Sequence, residues 1–199
     1  MVYPKSLNNL INSLKILPGV GEKTAERIAL AMLNFDKEKL ESFATAIIGV
    51  KNKIKPCPIC HNLTEQNICD ICSNENRRKD IICVVEDVKN IFLFEKNSLF
   101  NGQYHVLGGL ISPIDGTDPD DINIKTLFDR VNKGDIKEVI IAIKPSLEEE
   151  ATSLYISKKL ENSGVTVSKI AQGVPMGADM EYIDAMTLEN ALSDRKKIS

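Results

Sequence analysis

The sequence predicts a multi-domain α+β / α/β chain. An all-helical opening leads to a short cysteine-rich segment. An α/β region with a mainly parallel sheet follows, and a short helical segment closes the chain. Three observations carry this reading. Apolar residues recur at helical spacing in three successive segments within residues 6–50. Four of the five cysteines fall in two close pairs between residues 57 and 72. Beyond residue 80, apolar runs of strand length alternate with amphipathic helical stretches, the pattern of parallel strands covered on both faces.

In order, residues 6–15 carry Leu7, Leu10, Ile11 and Leu14 on one helical face, with Ser6 as the expected N-cap. Ile16 to Gly21 reads as a tight turn. A second helix over 22–34 would bury Ala25, Ile28, Ala29 and Met32, and a third over 36–50 places Leu40, Phe43, Ala44 and Ile47 on one face. Pro56 to Cys72 is too small to bury a core, and polar Ser73 to Asp80 reads as a linker. Ile81 to Val85 is a fully apolar strand ending at Glu86. A helix over 87–97, a strand Gln103 to Leu107, a loop over 112–120 and a helix Asp121 to Lys133 follow. Glu138 to Ile143 and Val165 to Ile170 read as further strands, separated by an amphipathic helix over 147–162. Gly173 to Gly177 is a turn-rich loop, and a helix is expected near 187–195. The expected segments are 1–55, 56–79, 80–172 and 173–199.

Composition narrows the class of function. The chain has 199 residues, 43% of them hydrophobic, with no Trp, so aliphatic side chains must fill the cores. No apolar run reaches the roughly 18 residues of a membrane span, and Met1 to Lys5 lacks a secretory apolar stretch, so a cytoplasmic location is expected. The net charge of -3 is unevenly spread. Residues 1–80 carry 12 Lys and Arg against 9 Asp and Glu, a balance of +3; residues 81–199 carry 13 against 19, a balance of -6. An anionic partner would favour the first part and a basic protein partner the second.

Leu17-Pro18-Gly19-Val20-Gly21 joins two helices, and its glycines allow positive φ and close backbone approach. The second helix starts just after Gly21, so its free N–H groups and positive dipole end form a phosphate site. Lys23 and Arg27, four apart, share the flanking helical face. This is a helix-hairpin-helix arrangement, which grips nucleic-acid backbone with little sequence information. Gly19, Val20, Gly21, Lys23 and Arg27 are the candidate DNA-binding residues, with Glu22 and Glu26 partly offsetting the cations. The plain alternative is a packing corner with two solvated cations.

Cys57-Pro58-Ile59-Cys60 and Cys69-Asp70-Ile71-Cys72 are paired C-x-x-C knuckles eight residues apart. Four thiolates satisfy tetrahedral Zn2+ and leave no open position, so one structural ion per chain is expected, with no chemistry at the metal. His61 is the competing ligand, but a residue adjacent to Cys60 points away. The alternative is two redox or incidental cysteine pairs. Cys83, within an apolar strand, reads as a small buried hydrophobe.

Together with Thr64-Glu65-Gln66, Ile82-Cys83-Val84-Val85-Glu86, Ser112-Pro113-Ile114-Asp115-Gly116 and Gly173-Val174-Pro175, these motifs resemble the recombination mediator RecR family, in order and spacing across essentially the whole chain. The resemblance implies a Toprim fold over 80–172. Catalytic Toprim proteins hold Mg2+ with a Glu after the first strand and an Asp-x-Asp after a later one. Here Glu86 fills the first place, but the later strand runs into Lys144-Pro145-Ser146, and a Lys ammonium there would repel a divalent cation. Glu148 and Glu150, just beyond, could hold Mg2+ only weakly. No catalytic residue is therefore expected.

The resemblance further implies a role in DNA repair with the partners RecO and RecF, loading recombinase onto gapped DNA. It implies non-specific contact with single- and double-stranded DNA, and rings of four subunits that give weak sites avidity. Glu86, Glu148 and Glu150 would face RecO; an acidic first turn of a helix, favoured by its dipole, is the plain alternative for Glu148 to Glu150, and both can hold at once. The chain departs from the family pattern at Asn90, Lys144 and Glu149, and at Ala178 and Asp179. The rival readings are a Mg2+-dependent nuclease or primase-like enzyme using Glu86, Asp87, Glu148 and Glu150, and a zinc-stapled scaffold that binds proteins only.

Overall fold

The computed structural model describes residues 3–195 and 197, so the outermost residues of the first and last expected segments, and Met1 and Val2 of the N-terminal reading, lie outside the described residues. The chain divides into two compact units, Met1–Ile54 and Lys55–Ser199.

The first unit is helical: α1 (Lys5–Leu14), α2 (Glu22–Met32) and α3 (Lys37–Lys53). Its core is small, with Ile11 and Leu14 of α1 packed on Ala25 and Ala29 of α2, and Ile28 at its margin. Ser6 is not the N-cap of α1. The helix starts at Lys5 after extended Pro4 (φ -56°, ψ 151°), which needs no hydroxyl cap. Helix α3 is capped by Asp36, whose carboxylate accepts from the Lys39 amide at 2.7 Å. The face expected there stays open: α3 buries none of its residues, and Phe43 and Ile47 are 49% and 58% exposed. Two alanines let α1 and α2 close on each other without a third layer.

In the second unit, β1 (Lys55–Pro56) pairs antiparallel with β2 (Leu63–Thr64), followed by the single-turn α4 (Asp70–Ser73). These short pieces carry the cysteines. The segment read as a polar linker is pinned. Arg77 makes a two-pronged contact with Glu95 at 2.8 and 2.9 Å and donates to the carbonyls of Gly102 and Phe100.

The sheet contains β3 (Ile81–Val85), β4 (Gln103–Val106), β5 (Glu138–Ile141) and β6 (Thr166–Lys169), in the order β4-β3-β5-β6, with every pairing parallel. Helix α5 (Val88–Lys96) lies on one face, where Ile91 packs with Cys83, Val85, Tyr104 and Val106. Helices α6 (Ile124–Lys133) and α7 (Leu147–Leu160) cover the other, burying Leu127, Val131, Ile156 and Leu160 against Ile82, Val84, Val139 and Ile141. Alternate strand residues thus feed opposite cores, which is why the strand sequences read as unbroken apolar runs. The helix expected from Asp121 starts three residues later, because Pro119–Asp121 form a separate 3-10 turn closed by Asp118. A last helix, α8 (Ala185–Ser193), is capped by Asp184.

Candidate functional site

The hairpin corner is exposed in the helical unit. The Val20 amide donates to the Leu17 carbonyl at 3.1 Å, and Gly19 sits at φ +79°. With Pro18 before it, this is a type II turn, whose third residue needs positive φ. Gly21, the N-cap of α2, brings no side chain to cap the helix. The amides of Glu22, Lys23 and Thr24 therefore have no protein acceptor among the described residues and point outward with the helix dipole. A side chain at Gly19 or Gly21 would meet no described atom within 4 Å, so the corner is open within the helical unit. Lys23 and Arg27 are exposed and form no ion pair among the described residues. Glu22, expected to oppose them, is instead paired with Lys15 at the end of α1. Lys15, a hairpin residue that helical spacing did not single out, thus leaves the two cations less compensated.

The four cysteines converge: their sulfurs lie within 4.8 Å of one another, with Cys60 and Cys69 at 3.5 Å. A disulfide needs about 2.05 Å, whereas tetrahedral zinc–sulfur bonds of about 2.3 Å put sulfurs somewhat under 4 Å apart. The geometry fits one structural zinc held by Cys57, Cys60, Cys69 and Cys72. Hydrogen bonds from Cys60 and Cys72 hold the Cys69 thiol down, while those two thiols are themselves pushed up, so the sulfurs share their protons as one tightly coupled group. His61 takes φ 62° and turns to Thr126, its Nε2 at 2.8 Å from Oγ1. The zinc segment is seated on the sheet: the Val106 amide donates to the Cys60 carbonyl at 2.9 Å, and Ile71 packs into the α5-side core. Cys83 is buried, and burial pushes its thiol up to about 12.

The chain passes from β3 to β4 on one side and to β5 on the other, so the carboxyl ends of β3 and β5 flank a topological switch point, the usual ligand crevice of such sheets. Glu86 follows β3 there, and Lys144 follows β5. Ser146 caps α7, its Oγ accepting from the Glu149 amide at 3.1 Å, and the first turn carries Glu148 and Glu150. The Ser146 side chain and local amides hold the Glu148 carboxyl below its usual range, against the nearby charge of Asp115. Asp115 belongs to the 112–116 loop, where Ser112 Oγ donates to its carboxylate at 2.7 Å, and the Ile111 amide ties the loop to Thr152 of α7 at 2.9 Å. Glu149 leaves this surface: it is buried and paired with Lys169 of β6. Asp87 caps α5, with Asn90 returning the contact in a capping box. Among the described residues, the cysteine cluster is the sole group of three or more His, Cys, Asp or Glu donors gathered closely enough to share an ion.

The described chain thus combines a helix-hairpin-helix unit, a four-cysteine metal segment and a four-stranded parallel sheet covered on both faces. Family models match along nearly all of the chain: RecR helix-hairpin-helix at residues 7–50, the RecR four-cysteine zinc finger domain at 54–74, Toprim domain at 80–171 and RecR C-terminal at 173–196. The chain is 48% identical to the recombination protein RecR of Clostridium perfringens over 98% of each chain, and 44% identical to that of Natranaerobius thermophilus over 98% of each. It is 45% identical to that of Chloroherpeton thalassium over 97% of each. The chain belongs to the RecR family. No described helix is long and apolar enough to cross a membrane.

Proposed function

We propose that this chain is a non-catalytic mediator of recombination in DNA repair, binding single- and double-stranded DNA without sequence preference through its hairpin corner. The carrying observation is the exposed Leu17–Gly21 turn, with α2 amides and the cations Lys23 and Arg27 that find no partner among the described residues beside it. Amides at a helix start grip phosphate, and phosphate contacts position without specifying. One such corner is a modest site, so the working form is a ring-shaped tetramer in which several corners act on one DNA. The division of labour follows the segments: 1–55 for DNA, 56–79 for zinc, 80–172 for partner contact and 173–199 for assembly.

RecO is the partner of the acidic surface formed by Glu86, Glu148 and Glu150, joined by Asp115, and RecF acts with it to load recombinase at gapped DNA. The site of action is the cytoplasm, at the nucleoid. The non-catalytic reading rests on Lys144 at the end of β5 and on the separate engagements of Asp87 and Glu149. The deciding experiment is Lys23→Ala with Arg27→Ala. The double variant should fold normally and lose DNA retention in a gel-shift assay, and an unchanged shift refutes the assignment. Cleavage or synthesis on nicked or single-stranded DNA with Mg2+ or Mn2+ would overturn the non-catalytic part.

A further inference from the structure

Arg130 of α6 is a partly buried guanidinium that makes no ion pair with a carboxylate among the described residues. One Nη donates to the Tyr104 carbonyl at 2.6 Å and lies 3.2 Å from His105 Nδ1. His105 Nε2 lies 2.8 Å from the Asn123 carbonyl, so it carries the ring proton and leaves Nδ1 to accept from Arg130. Burial holds His105 neutral, its pKa down at about 3. Both hydrogen-bond partners of the guanidinium are therefore uncharged. Arg130 also shares a groove with Pro58 and Ile59 of the first knuckle, which puts it beside the cysteine cluster. Burial opposes its charge, and the groups that favour it are Cys72, Cys60, Cys57 and Cys69.

Four thiolates around one Zn2+ leave two negative charges in excess, and excess charge away from bulk water needs a fixed counter-charge. We propose that Arg130 is a positioning residue of the zinc centre: its guanidinium, oriented by Tyr104 and His105, balances the thiolate charge and holds the knuckles against β4. The His61 to Thr126 contact and the Val106 to Cys60 bond bring the zinc segment to the same strand and helix, so the counter-ion and the seat are one assembly.

The zinc-loaded full chain and two variants, Arg130→Met and Arg130→Lys, are challenged with graded EDTA, and released zinc is measured with a colorimetric indicator. Loss of an outer partner of a metal site commonly weakens metal binding about 10- to 100-fold. Arg130→Met should lose zinc at about tenfold lower chelator, and Arg130→Lys should stay within about threefold of the parent. Zinc retention unchanged in Arg130→Met overturns the proposal. Equal loss in both variants also overturns it, because shape rather than charge would then hold the metal. Should Arg130→Met fail to fold, Arg130→Gln takes its place: about tenfold easier loss beside retention in Arg130→Lys supports the proposal, and retention unchanged in Arg130→Gln refutes it.

Discussion

Glu149 and Lys169 join α7 to the edge strand β6: Lys169 Nζ lies 2.7 Å from Glu149 Oε2, and the carboxylate is only 1% exposed. The ammonium approaches off the line of a hydrogen bond to that oxygen, while Ser153 Oγ donates to the other at 2.5 Å. A residue in the middle of an acidic triplet is thus a structural tie, and only its two neighbours are free to meet a partner.

Removing the cation should therefore destabilise the sheet. Lys169→Met leaves a buried carboxylate without its counter-charge, which costs about 2–3 kcal/mol. Urea unfolding followed by circular dichroism should show the midpoint fall at an unchanged slope, and a midpoint equal to the parent's would show the pair to be unimportant.

Glu148→Arg tests the neighbouring surface. Glu148 is turned outward at the start of α7, so reversing its charge should leave the unfolding midpoint within about 0.5 kcal/mol of the parent. Association with RecO in a pull-down should weaken. Unaltered capture counts against the acidic surface as its docking face.

At the hairpin, Gly19 and Gly21 should respond differently. Gly19 holds φ +79° with open space around it, so Gly19→Val pays only in backbone strain, about 1–2 kcal/mol, and tilts the amides of the corner. Gly21 has φ -82°, which any residue adopts, so Gly21→Ala should keep the fold while its methyl would obstruct the proposed phosphate contact. Filter binding should show weaker DNA retention for both, with a lower melting temperature for Gly19→Val alone.

His105 should give the second unit an acid-sensitive stability. Its folded pKa is depressed to about 3 from 6.5 by burial. Between those values the unfolded chain binds a proton that the folded chain refuses. This contribution is therefore complete above pH 6.5 and is lost as pH falls toward 3, at roughly 1.4 kcal/mol per pH unit. Urea midpoints of the zinc-loaded protein between pH 6.5 and 5 should fall more steeply for the parent than for His105→Gln. Parallel slopes would show that His105 does not titrate this way.

Much of the architecture was legible because the signals were local. Ile81 to Val85 is apolar at every position, as a strand sandwiched between two helical layers must be, and the Cys57 to Cys72 spacing specifies a ligand set without any tertiary information. A tight turn with positive φ available at its glycines was legible in Leu17 to Gly21, and the structure makes it type II. Long-range contacts were not. Nothing in the sequence singled out Arg130 of α6, and only the packing of α6 beside the first knuckle makes it a neighbour of thiolates. Glu149 reads as helix-dipole decoration until β6 brings Lys169 to it. Leu40, Phe43 and Ile47 have core spacing, yet the pattern cannot say whether the covering surface lies within the same chain.

The seat of the zinc segment on β4 has a consequence for handling the protein. Strand β4 lies at one border of the sheet, and its outer side is occupied by the Cys60 carbonyl on the Val106 amide, with Arg77 and Arg78 bonded to the chain just before the strand. An uncovered border strand is an invitation to pair with another molecule. A chain stripped of its ion would expose that border, so metal-poor preparations should clump through sheet extension, and light scattering on chelation would report it before any loss of helix content.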